Sequence, residues 1–164
     1  MQKITPFLWF DGAAEEAANF YVSVFEGGSR VLRTTRLSGT GARPGGVMTV
    51  QFELRGQQFL ALNGGPAFKV SEAIWLVVSC DTPAEVDHFW SLLSRDGQEG
   101  RCGWLKDRYG LSWQIVPAGL GELLGDPDPQ RARRATEAMM QMTKLDIEAL
   151  RRAAGGTPDS RRDQ

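Results

Sequence analysis

The chain has 164 residues, of which 41% are hydrophobic and 24% charged, and its formal net charge is −1. These proportions are typical of a soluble globular protein with a substantial core, and the balanced charge argues against a nucleic acid or a membrane surface as partner. No apolar run is long enough to span a bilayer. The N-terminus lacks a signal-peptide pattern, and Cys80 and Cys102 have no disulfide-type spacing. We therefore expect a cytoplasmic protein.

The first part of the chain predicts a strand, a helix and three further strands. The strand-like run Ile4–Asp11 leads into Ala13–Phe25, where apolar residues recur at helical spacing. Three strand-like segments follow, at Ser29–Leu37, Gly46–Arg55 and Gln58–Asn63. The order is therefore β-α-β-β-β.

Two glycine-rich segments interrupt this part. Ser38–Gly46 has no strand-then-helix context for phosphate binding, so we interpret it as the tip of a hairpin. Asn63-Gly64-Gly65-Pro66 follows the last strand and predicts a turn with positive φ. Asn63 would either cap that turn or offer its amide to a ligand.

The second part of the chain repeats the same order. The run Ile74–Asp81 leads into the helix Pro83–Ser94, and strand-like segments follow at Gln98–Cys102, Trp104–Lys106 and Leu111–Pro117. One βαβββ unit is thus predicted at about 1–66 and a second at about 73–117.

The rest of the chain is predicted to be helical. Gly119–Leu124 favours a short helix, and a cap with prolines (Asp126-Pro127-Asp128-Pro129) begins another that runs to about Met142. Asp146 is placed to cap a last helix through Ala154. These helices span 119–154, and the polar segment 155–164 is predicted to be a disordered tail.

Most of the chemically versatile residues of the second unit lie between Cys102 and Gln114. Strand alternation places Leu111, Trp113 and Ile115 on one face and Ser112, Gln114 and Val116 on the other. The face with the polar residues is the better candidate for contact with a ligand.

The same segment holds the candidates for catalysis. Lys106, Asp107 and Arg108 form either a tight loop with a local ion pair or a clamp for an anion or carbonyl group. Cys102 would be a nucleophile if a neighbouring cation lowered its pKa, but His88, the single histidine, belongs to a helix expected outside the sheet. A structural thiol is the favoured interpretation of Cys102.

The chain resembles the vicinal oxygen chelate superfamily, which includes glyoxalase I, extradiol dioxygenases and fosfomycin-resistance proteins. It is most similar to the PhnB-like branch, whose members carry the label 3-demethylubiquinone-9 3-methyltransferase. Besides the tandem units, four motifs carry the resemblance: Ile4–Gly12, Glu16–Tyr21, Phe59–Pro66 and Cys102–Gln114. The resemblance implies an α+β fold, a single domain over 1–154 in which the tandem βαβββ units form a half-barrel around a cleft. It also implies a homodimer.

The superfamily's metal site does not map onto this sequence. Aligned on Gly110, the usual carboxylate ligand corresponds to Gln114, and the internal repeat, with Gly56 in place of Gly110, puts the partner position at Leu60. Stable sites for Zn, Fe or Mn use about three imidazole, carboxylate or thiolate ligands. We therefore predict no metal and no cofactor. A Gly-rich strand-to-helix turn for a nucleotide-type methyl donor is missing too, so the methyltransferase label is taken as a name only.

These observations lead to three hypotheses. In the first, a metal-free homodimer binds a small apolar or aromatic molecule in an aromatic-lined cleft. In the second, an enzyme of the same fold uses Lys106, Asp107 or Cys102 instead of a metal. In the third, dimerisation is itself the function and the cleft is vestigial. The ligand-binding candidates are Trp9, Leu60, Asn63, Trp75, Trp104, Ser112 and Gln114.

Overall fold

The computed structural model describes residues 2–38 and 45–155. Its contacts divide the chain into two compact units, Met1–Ser71 and Glu72–Gln164. Each unit holds one open four-stranded sheet and a helix between its first two strands. The predicted α+β fold with tandem βαβββ units and added C-terminal helices is confirmed.

The first unit consists of β1 (Phe7–Phe10), α1 (Ala14–Val24), β2 (Arg30–Arg36), β3 (Val47–Leu54) and β4 (Gln57–Asn63). The strand order is β1-β4-β3-β2, with β1 parallel to β4 and the other pairs antiparallel.

Helix α1 covers one face of this sheet. Its buried residues include Tyr21, whose ring lies 6.2 Å from that of Phe52 on β3, measured between centroids. Arg55 and Gly56 both have positive φ and form the hairpin turn between β3 and β4, because a two-residue hairpin of this type requires left-handed backbone at both positions. The predicted hairpin tip Ser38–Gly46 lies mostly outside the described residues.

The second unit begins with β5 (Trp75–Cys80), α2 (Pro83–Leu93), β6 (Gln98–Glu99), β7 (Trp104–Lys106) and β8 (Ser112–Pro117). The strand order is β5-β8-β7-β6, with β5 parallel to β8, so the topology of the first unit is repeated.

Strand β6 is shorter than the predicted Gln98–Cys102 because the chain turns after Glu99. Cys102 and Gly103 both have positive φ (57° and 79°), and the N–H of Trp104 donates to the carbonyl of Arg101 at 3.1 Å. Residues 101–104 therefore form a tight turn between β6 and β7.

Three helices complete the second unit: α3 (Leu120–Leu124), α4 (Pro129–Met139) and α5 (Ile147–Gly155). The carboxylates of Asp128 and Asp146 accept hydrogen bonds from backbone N–H groups at the starts of α4 and α5, as predicted. Helix α4 ends three residues before the predicted Met142. Gly155, assigned by the sequence to the disordered tail, ends α5, and 156–164 lie outside the described residues.

The helices have their own apolar core, formed by Leu120, Leu145 and Leu150. Met139 and Met142 pack against it, and so does Val116 of β8. The three helices thus cover the sheet at the end of β8. Within the residues that the structure describes, no helix is both long and apolar enough for a membrane crossing.

Candidate functional site

One face of the second sheet carries most of the predicted ligand-binding residues. The strand register pairs Trp75 and Lys106 with Ser112, and pairs Val77 and Trp104 with Gln114. Because residues in register share a face, these side chains form a single surface, here called the open face. The opposite face packs on α2 and buries Leu105, Trp113 and Ile115, so the predicted alternation along β8 is confirmed.

Two tryptophans form the apolar part of the open face. The rings of Trp75 and Trp104 lie 4.4 Å apart between centroids, tilted by 44°. Trp75 is 40% exposed and the neighbouring Val77 56% exposed. Neighbouring large apolar side chains in contact with water form a surface suited to an apolar or aromatic partner.

A small cavity of about 190 Å³ lies beside Trp104. Ser112 and Lys106 line it, together with Glu72 and Glu99. Glu72 precedes β5, and its carboxylate forms an ion pair with the Lys106 ammonium. The hydrogen bond from Lys106 holds the pKa of Glu72 below its ordinary value, so the carboxylate stays charged.

Asp107 lies on the other side of the sheet from Lys106. Only 3% of it is exposed, and its Oδ1 accepts hydrogen bonds from the N–H groups of Tyr109 and Leu111 at 2.8 and 3.0 Å. Its Oδ2 accepts from the indole N–H of Trp113 at 2.8 Å. The carboxylate therefore organises the loop between β7 and β8. The two neighbouring cations form ion pairs outside this loop, Lys106 with Glu72 and Arg108 with Asp96.

Gln114 and Cys102 are joined by a hydrogen bond from the Gln114 amide nitrogen to the Cys102 carbonyl oxygen at 3.2 Å. The thiol of Cys102 is directed elsewhere, with its sulfur 3.6 Å from the carbonyl oxygen of Met139. The three catalytic candidates are therefore not brought together: Cys102 contacts the helices, Asp107 is buried, and Lys106 lies on the open face.

In the first unit, Trp9 and Leu60 lie on the sheet face away from α1. Register pairs Leu60 with Phe7 and Gln51, and Trp9 with Leu62. The indole N–H of Trp9 donates to the Gly65 carbonyl at 2.8 Å, and its ring meets that of Phe68 edge-on at 4.9 Å. Residues 64–68 thus cover part of Trp9.

Asn63 lies on the opposite, helix-covered face of that sheet. Its side-chain oxygen accepts from the N–H of Ala14 at 2.8 Å, and its amide nitrogen donates to the Val47 carbonyl at 3.0 Å. Both polar atoms thus tie α1 and β3 to the end of β4, and neither of these two bonds lies within the predicted turn 63–66.

Whether this chain could hold the superfamily's metal depends on the side chains at the two positions that correspond to its ligands. Gln114 is flanked in register by Val77 and Trp104, and Leu60 by Phe7 and Gln51. Across residues 2–38 and 45–155, no group of three His, Cys, Asp or Glu side chains could hold an ion. The donor set present does not fit the superfamily's metal.

Among the residues that the sequence did not point to are Val77 of the open face and Glu72 beside it. Val77 could have been found, because strand alternation places it on the same face as Trp75. Glu72 could not, because it lies outside the strand and reaches Lys106 only through the fold.

Comparison with known proteins assigns the chain to a family. A family model described as 3-demethylubiquinone-9 3-methyltransferase matches residues 2–116. The chain therefore belongs to this PhnB-like family. The match ends before α3, so the three C-terminal helices lie outside it.

Solved structures agree with that assignment. A putative 3-demethylubiquinone-9 3-methyltransferase, PhnB protein, from Bacillus cereus is 37% identical, with a TM-score of 0.66 over 71% of this chain and 100% of its own. Protein PA1353 from Pseudomonas aeruginosa is 18% identical, with a TM-score of 0.60 over 71% of this chain and 98% of its own. The fosfomycin resistance protein FosX from Mesorhizobium loti is 13% identical, with a TM-score of 0.53 over 76% of this chain and 99% of its own. The latter two show the fold alone. Comparison with curated proteins gives no match.

Proposed function

We propose that this protein is a metal-free, homodimeric binding protein that holds a small apolar or aromatic molecule on the open face of its second unit. The observation that carries the proposal is the ring contact between Trp75, which is 40% exposed, and the partly buried Trp104, at 4.4 Å between centroids, beside the polar side chain of Gln114; Ser112 lies on the same face but is only 2% exposed. Aromatic rings supply contact area, and a few polar groups orient the ligand. Catalysis by Lys106, Asp107 or Cys102 has no comparable support, because their functional groups point to different surroundings.

The binding part of the proposal is tested with a neutral aromatic probe, naphthalene-2-carboxamide, titrated calorimetrically into the full chain. We expect saturable binding that Trp104→Ala weakens at least tenfold. The control is Leu37→Ala, because Leu37 is an exposed apolar residue, at 45%, that belongs to the first unit. Equal binding by the Trp104 variant and the wild type would contradict the proposed site.

The absence of a metal is a separate part of the proposal. Elemental analysis of the purified protein is expected to find far less than one divalent ion per chain. One tightly held ion per chain, retained through dialysis, would overturn it.

The dimer is supported by apolar residues exposed at the sheet edges formed by β1 and β5. Phe7 is 55% exposed, and Ile74, just before β5, is 74% exposed. Side chains of this kind at a strand edge favour burial against another chain. Light scattering after size exclusion is expected to give twice the chain mass at micromolar concentration, and a monomer would contradict the proposal.

A further inference from the structure

Lys106 places a positive charge beside the two tryptophans of the open face. It follows Trp104 by two residues on β7 and is in register with Ser112 on β8, so its side chain emerges on their face. The side chain is 34% exposed. Because its backbone is paired within the sheet, the Cα of Lys106 is held close to the two indole rings.

The partner of Lys106 is much less constrained. Glu72 lies before β5 and its side chain is 66% exposed. Exposed ion pairs contribute little to stability, so another carboxylate can replace Glu72 at little cost. The Glu72 carboxylate shows where an anionic group meets Lys106 at the edge of the cavity.

The remaining acidic side chain at the cavity is already engaged. Glu99 accepts a hydrogen bond from the indole N–H of Trp90 at 3.0 Å. A cationic ligand would have to compete with Lys106 for Glu72 and would lie beside the ammonium group. An anionic ligand meets neither obstacle once Glu72 turns outward into solvent.

From this arrangement we propose that Lys106 makes the open face selective for a flat apolar molecule that carries one carboxylate. The rings of Trp75 and Trp104 contact its apolar body, and its carboxylate replaces that of Glu72 on Lys106. The cavity of about 190 Å³ is below the roughly 300–1,000 Å³ usual for drug-sized ligands, which favours a molecule of one or two rings. This inference rests on the proposed function.

The test compares three probes of one shape and different charge: naphthalene-2-carboxylate, naphthalene-2-carboxamide and 2-naphthylmethylammonium. Calorimetric titration of the wild-type chain is expected to give the carboxylate roughly tenfold tighter binding than the amide, since a charge-assisted hydrogen bond exceeds a neutral one. The ammonium probe is expected to bind most weakly.

Two variants then assign the preference to Lys106. Lys106→Met is expected to abolish the preference for the carboxylate over the amide. Glu72→Gln is expected to tighten carboxylate binding several-fold, because it removes the competing charge. Lys144→Met is the matched control, because Lys144 forms an exposed ion pair of the same kind with Asp87, outside the open face, and it should keep the wild-type preference.

The outcomes separate this inference from the proposed function. If the amide binds as tightly as the carboxylate, or if Lys106→Met retains the preference, the selectivity is wrong and the binding site stands. Preference for the ammonium probe overturns the selectivity as well. If none of the three probes binds the wild-type chain, the proposed function fails and this inference fails with it.

Discussion

The indole N–H of Trp113 donates a hydrogen bond to Oδ2 of Asp107 across a distance of 2.8 Å. With the two backbone N–H groups bound by Oδ1, three donors converge on one buried carboxylate. This cluster joins the loop after β7 to the core side of β8, the strand that presents Ser112 and Gln114 on its other side. Asp107 therefore stabilises the strand that carries the open face, from the buried side of the sheet.

Replacing Asp107 by Asn is expected to lower the free energy of unfolding by about 2 kcal/mol or more, since hydrogen bonds to charged groups contribute roughly 1.5–3 kcal/mol each. An amide also presents an N–H group to one of the three donors. Urea denaturation measures the change. Asp96→Asn is the control, because Asp96 is exposed and pairs only at the surface with Arg108; equal losses in the two variants would contradict the role of the buried carboxylate.

The architecture could be predicted because its signals are local. Apolar alternation along β8 assigned Trp113 to the core and Gln114 to the other face, and the repeated order of strand and helix patterns gave both βαβββ units. Capping residues such as Asp128 and Asp146 act within a few positions of the backbone groups they bind, so their roles could also be predicted from short segments.

The details of the site depend on contacts between distant segments. Nothing near Lys106 in the sequence selects Glu72 as its partner over the adjacent Asp107. The burial of Asp107 depends on Trp113 lying beneath the loop. Likewise, apolar spacing predicted the C-terminal helices, but it could not show that they would cover Val116 and contact the Cys102–Gly103 turn.

Gly103 and Gly110 offer a matched pair of substitutions to alanine. Both have positive φ, at 79° and 86°, but a Cβ on Gly103 would lie 2.6 Å from the Ile115 carbonyl oxygen, whereas one on Gly110 would meet nothing within 4 Å. Gly110→Ala should therefore show only the conformational cost, about 1 kcal/mol. Gly103→Ala should lose clearly more stability in urea denaturation. Equal losses would mean that the turn can move away from β8 freely.

The ion pair between Lys106 and Glu72 predicts a specific pH dependence. The pKa of Glu72 lies below its ordinary value of 4.5, chiefly because of the hydrogen bond from Lys106. Since the folded-state pKa is lowered, the stabilisation is present above pH 4.5 and is lost as the pH falls through the folded-state value. NMR titration of the Glu72 carboxyl carbon should detect the lowered pKa.

The variant Lys106→Met should return the pKa of Glu72 toward 4.5, and Lys144→Met should leave it unchanged. A pKa of Glu72 that stays low without Lys106 would show that the pair is not formed in solution.

The C-terminal helices are anchored to the turn behind Gln114 by two backbone hydrogen bonds. The N–H groups of Cys102 and Gly103 donate to the carbonyls of Met142 and Thr143, each at 2.8 Å. Leu145 packs directly on this turn and is only 2% exposed. Leu145→Ala should therefore lower the free energy of unfolding by about 2–5 kcal/mol, as is usual for a buried leucine.

Because Leu145 holds the segment that accepts both hydrogen bonds, its loss should act locally as well. Hydrogen exchange at the Cys102 and Gly103 amides is expected to accelerate more than exchange within β3 and β4 of the other unit. Gln141→Ala, which removes an exposed side chain from the same connection between helices, should leave both the stability and the exchange pattern close to wild type. Unchanged exchange at Cys102 and Gly103 in the Leu145 variant would mean that the helices do not hold this turn, and that the carbonyl bound by Gln114 is positioned by the sheet alone.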